Sequence, residues 1–93
     1  NPTPSLASWR IYNISSAAGA WTSRIDGVQH YTTATNTFSS FSGSPYLGRS
    51  ASLFGDVYFN GHIAEILIFN EVLSAGDRTY VLNGLADIYG ISV

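Results

Sequence analysis

The sequence predicts an all-β, antiparallel chain closed by one C-terminal α-helix, and three observations carry that prediction. Aromatic and β-branched residues alternate with polar ones in two successive segments, Ser8 to Ser15 and Trp21 to Asp26. Asp26-Gly27 then supplies a dipeptide that tolerates the positive φ angles of a tight hairpin turn. After Ser74 the apolar spacing changes from two to helical, with Val81, Leu85 and Ile88 in line.

Composition bounds what such a chain can be. Its 93 residues allow one small domain, and 45% hydrophobic with 14% aromatic against 11% charged residues suits a packed, sheet-rich protein rather than a disordered tail. No run reaches the roughly 18 apolar residues of a membrane helix, so no membrane span is expected. With a net charge of −2, no lysine, and arginines far apart at Arg10, Arg24, Arg49 and Arg78, no basic stripe exists to follow a phosphate backbone. Nucleic acid is therefore not an expected partner. The absence of cysteine excludes a disulfide framework and thiolate metal sites. The chain lacks methionine and opens Asn1-Pro2-Thr3-Pro4-Ser5, from which a linker or loop over residues 1–7 and a processed or longer parent protein are expected.

The elements follow in order. Ser8 to Ser15 puts Trp9, Ile11 and Asn13 on one face and Arg10, Tyr12 and Ile14 on the other, which predicts a strand. A small-residue turn ending at Gly19 leads into a second strand, where Trp21, Ser23 and Ile25 alternate with Thr22, Arg24 and Asp26. Val28 to Thr32 returns from the Asp26-Gly27 turn as a third. Thr33 to Ser44 reads as a surface loop pinned by Phe38 and Phe41, and Tyr46 to Arg49 as a short strand. Tyr58 to Asn70 ends in Ile66-Leu67-Ile68-Phe69, a pattern that predicts a strand covered on both faces with a bulge at Gly61. Ser74 followed by Asp77 is a capping signature, and Gly90 can take the left-handed conformation that ends a helix over 74–89.

The order W-x-x-x-N from Trp9, W-x-x-R-I-D-G from Trp21, L-G-R-S from Leu47, F-N-G-H-I-A-E-I-L-I-F-N from Phe59, Leu73-Ser74, and L-A-D-I-Y-G-I from Leu85 resembles the bacterial laminin-G-like jelly-roll domains of the concanavalin A-like superfamily. The resemblance implies an antiparallel β-sandwich of which residues 1–93 supply only the later strands and the terminal helix. Such a half would expose sheet edges and an apolar face, so a partner is expected: an upstream segment, a second chain or a self-associated copy.

Catalysis is not expected, because glycosidases on the fold it resembles need two carboxylates roughly 5 to 9.5 Å apart. Glu65 has Ile63 and Leu67 as its neighbours at strand spacing, not an acid, and reads as a partly buried carboxylate paired with an arginine such as Arg49 or Arg24, or accepting loop amide hydrogen bonds. His30 and His62 lack the helical His-Glu or His-His pairing of a metal site. Calcium is the one candidate cofactor, through loop oxygens of Asp26, Asp56 and Asn60. Trp9 and Trp21 read as core residues, whereas Tyr31 and Tyr46 near loops are the candidates for stacking on a glycan or protein ligand. Asn13-Ile14-Ser15 also matches a glycosylation acceptor.

Taken together, these residues suggest a non-catalytic recognition module of an extracellular or surface protein, binding glycan or protein at the rim of the sandwich. A structural or assembly module of a surface layer or virus particle is the alternative, and a glycoside hydrolase fragment is a distant third.

Overall fold

The computed structural model of the chain describes residues 5, 7–35, 47–50 and 57–93. They fall into two compact units, one built from Asn1–Phe38 with Phe69–Val93 and the other from Ser39–Ile68.

The first unit holds a three-stranded antiparallel sheet of β1 (Tyr12–Ala17), β2 (Ala20–Ile25) and β3 (Val28–Thr33) in sequence order, and the helix α1 (Ala75–Tyr89). Both hairpins close on two-residue loops. Ala17 pairs with Ala20, and Gly19 between them takes a φ of 71°. Ile25 pairs with Val28 across Asp26 and Gly27, whose φ angles of 51° and 84° are those the mirror-image hairpin turn requires at both central positions. Asp26 is the single non-glycine residue with positive φ among the described residues. Its side chain offsets that backbone cost, as described below.

Helix α1 starts where the capping signature placed it. Ser74 is extended (φ −60°, ψ 161°), and its hydroxyl accepts the Asp77 N–H at 3.2 Å. Gly90 ends the helix with φ 65°, while the Ile91 N–H donates back to the Ala86 carbonyl at 3.0 Å. Ala86 is buried and Arg78, Val81, Leu82 and Leu85 are partly buried, so the helix covers a narrow stripe. Ile88 and Tyr89, expected in that stripe, are exposed. They lie about one turn past Leu85, whereas Leu82 meets Gly27 of the β2–β3 turn.

The second unit holds the short ladder of β4 (Arg49–Ser50) and β5 (Val57–Tyr58), with the Phe59 N–H bonded to the Gly48 carbonyl at 2.7 Å. Here the sequence expectation is corrected. The strand expected over 58–70 reaches only Tyr58, residues 59–70 carry no ladder, and Gly61 is not a bulge in one. Ile66, Leu67 and Phe69 are exposed and Ile68 is 90% exposed. A strand needs a neighbour to complete its ladder, and among the described residues none pairs with this run. Phe38, Phe41, Tyr46 and the loop expected between β4 and β5 lie outside the described residues.

Candidate interaction face

Residues that pair across an antiparallel ladder share a face of the sheet, so the register sorts the side chains. Tyr12 pairs with Ile25 and Ile14 with Ser23, and on the other edge Val28 pairs with Ile25 and Tyr31 with Ser23. Val28 and Tyr31 are three residues apart and would point to opposite sides of a regular strand. A register shift at Ser23/Arg24 leaves His30 as the extra residue on β3 and returns both to one face.

That face is apolar and uncharged. Ser23 and Ile25 lie buried along its midline, at 1% and 3% exposure, and Trp21 is partly buried beside them. Flanking them, Tyr12, Ile14, Val28 and Tyr31 are between 50% and 71% exposed. Tyr31 stands edge-on to Trp21, with ring centroids 5.8 Å apart at an interplanar angle of 61°. The T-shaped pair fixes Tyr31 while leaving more than half of its surface in water.

The opposite face is polar, and its residues on β1 and β2 are half-buried. Asn13 pairs with Arg24 and Ser15 with Thr22, and all four are partly buried. Arg24 Nη1 donates to Asn13 Oδ1 at 3.1 Å and to Ser15 Oγ at 3.4 Å, and the Thr22 and Thr32 hydroxyls bond at 2.9 Å. Along β1, then, the polar residues are shielded and the large apolar ones are not. This is the reverse of what burial ordinarily favours at roughly 25 cal/mol per Å² of apolar surface.

At one end of the sheet Asp26 holds the segment entering β1. Its Oδ2 accepts Arg10 Nη1 at 2.8 Å, its Oδ1 accepts the Ile11 N–H at 2.9 Å, and its own N–H donates to the Ile11 carbonyl at 2.8 Å. Ile11 thereby exchanges two hydrogen bonds with one turn residue, and the ion pair sits partly shielded from solvent.

The sequence candidates divide as follows. Tyr31 lies on the apolar face, in the middle of β3 rather than near a loop. Tyr46 and Asp56 lie outside the described residues. Asp26, a candidate calcium ligand, has both carboxylate oxygens engaged by Arg10 and Ile11, and Asn60 is exposed in the other unit. Among the described residues no cluster of three or more His, Cys, Asp or Glu could hold a metal ion, and no helix is long and apolar enough to cross a membrane. Trp9, expected in the core, is 53% exposed, because β1 begins only at Tyr12 and Trp9 precedes the ladder. Glu65 is exposed rather than partly buried, and the Asn13 amide oxygen of the glycosylation pattern is held by Arg24. Sequence reasoning missed the bulge at His30. Its signal was the odd spacing of Val28 and Tyr31, which strict alternation cannot put on one face.

The chain matches no protein-family model, no curated protein and no solved structure. Function therefore has to be argued from the face itself.

Proposed function

We propose that the chain is a non-catalytic interaction module of an extracellular or surface protein, whose apolar sheet face packs against a second antiparallel sheet. In this reading it supplies the later strands and terminal helix of a laminin-G-like sandwich. The observation that carries it is the exposure of Tyr12, Ile14, Val28 and Tyr31 on one uncharged face. A sheet with alternating apolar residues and no charge is suited to another sheet stacked about 10 Å away, with side chains interleaved. Contiguous apolar patches of this kind mark interaction sites on soluble proteins. The second sheet comes from the rest of the same protein or from another chain, and the chemistry is the same in both cases.

A second reading, glycan binding, is favoured by the Trp21–Tyr31 pair, since a fixed and exposed tyrosine ring offers a stacking surface. A glycan array, read with and without a calcium chelator, separates the two. The docking reading expects a flat array. Reproducible glycan binding that disappears in Tyr31→Ala would overturn it in favour of the second.

A further inference from the structure

The chain carries two Asn-Gly pairs, Asn60-Gly61 and Asn83-Gly84, and the fold sets them in opposite surroundings. An asparagine followed by glycine is chemically labile, because glycine has no Cβ to keep its backbone nitrogen away from the asparagine side-chain carbonyl carbon. Attack makes two demands on the backbone. The peptide between the two residues must turn its nitrogen onto that carbon, and the nitrogen must not be held elsewhere.

Asn83-Gly84 meets neither demand. Both residues lie inside α1, where the helical hydrogen bond commits the Gly84 N–H to the Tyr80 carbonyl and fixes the peptide. Asn83 is exposed, so the helical backbone, not burial, protects it. The one Asp-Gly pair, Asp26-Gly27, is also guarded, with both carboxylate oxygens of Asp26 engaged by Arg10 and Ile11.

Asn60-Gly61 meets both. It follows β5 in the stretch without a ladder, and both residues are exposed. Among the described residues no hydrogen bond holds the Asn60 side chain or the Gly61 N–H. A Cβ on Gly61 would lie 2.8 Å from Phe59 Cζ, so the missing side chain that makes room for the Phe59 ring is the same one that leaves the nitrogen unhindered.

We propose that Asn60 is a site of spontaneous covalent modification, deamidating through a cyclic imide while Asn83 is preserved. The Gly61 nitrogen bonds to the Asn60 side-chain carbonyl carbon and gives up its proton, and the side-chain nitrogen leaves as ammonia. Water, the one co-reactant, then opens the imide at either carbonyl. One opening gives aspartate, and the other gives isoaspartate, whose main chain is longer by one methylene. Either product leaves the chain one unit more negative than its formal −2. In the isoaspartate form the extra methylene falls between Gly61 and Phe59, next to the bond from the Phe59 N–H to the Gly48 carbonyl that extends the β4–β5 ladder. The reaction does not depend on what the apolar sheet face binds.

The test is incubation of the full chain in mildly alkaline buffer, native and in concentrated urea, followed by peptide mass mapping with isoaspartate measured by enzymatic methylation. In urea the two asparagines should react at similar rates, since each precedes glycine. In the native chain Asn60 should react at least about tenfold faster than Asn83, whose reaction waits on the opening of α1. Asn60→Gln sets the amide one methylene further out at an exposed position; it should keep the native circular dichroism spectrum and lose the main acidic species that isoelectric focusing detects in aged wild type. Similar native rates at the two sites, a faster Asn83, or an Asn60 that stays intact for as long as the urea-treated chain takes to convert would overturn the proposal.

Discussion

Leu82 Cδ2 lies 2.6 Å from where a Cβ on Gly27 would stand, so the β2–β3 turn and helix α1 meet at a glycine. Gly27 is fixed twice over, by its φ of 84° and by this approach. Gly27→Ala should cost about 1–2 kcal/mol for the left-handed backbone alone, plus a clash that the half-buried Leu82 side chain relieves only in part. Urea unfolding of Gly27→Ala with and without Leu82→Ala separates the two contributions. The double variant should recover the clash but not the backbone cost.

Asp26 should matter more through its side chain than through its turn conformation. Asp26→Gly keeps the positive φ and deletes the bonds to Arg10 and Ile11, and should lose about 1–3 kcal/mol, most of it from the shielded Ile11 bond and less from the partly exposed ion pair. Asp26→Asn, which tolerates the same backbone and keeps an acceptor for Ile11, should lose about half as much. Equal losses in the two variants would mean that the ion pair dominates.

The helix caps predict opposite signs for two substitutions. Ser74→Ala removes the acceptor for the Asp77 N–H and should cost about 1 kcal/mol. Gly84 lies mid-helix with nothing within 4 Å of the place a Cβ would occupy, so Gly84→Ala should stabilise by about 1 kcal/mol. For a domain of this size each change corresponds to a shift of about 4–8 °C in melting temperature, measurable by circular dichroism.

What was legible in the sequence was local. The Asp26-Gly27 turn, the Ser74 cap and the Gly90 stop each depend on the conformational range of one or two residues, and all three stand where the residue types placed them. The register of β3 was not legible, because the bulge at His30 is set by which residues pair across the sheet. The apolar run Ile66 to Phe69 shows the same limit from the other side. Its composition suits a buried strand, but a strand exists only where a neighbour completes its ladder. Of the candidate site, Tyr31 was singled out for a ring near a loop and stands exposed within β3 instead, whereas Asp26 was valued as a cation ligand when its oxygens hold the chain segment entering β1.

The exposed apolar side chains of β1 and β3 should tolerate polarity better than their hydropathy suggests. Ile14→Asn and Val28→Asn remove side chains that are half or more in water, so each should change unfolding free energy by no more than about 1 kcal/mol. A comparable change at Ile25, which is buried between them, should cost several times more.

Sedimentation velocity of the wild-type chain and of the Ile14→Asn/Val28→Asn double variant, over a range of concentrations, measures the docking claim itself. The wild-type chain, with its apolar face open, should associate as concentration rises, and the double variant should remain monomeric with unchanged secondary structure. A wild-type chain that stays a monodisperse monomer at every concentration, indistinguishable from the variant, would contradict the claim.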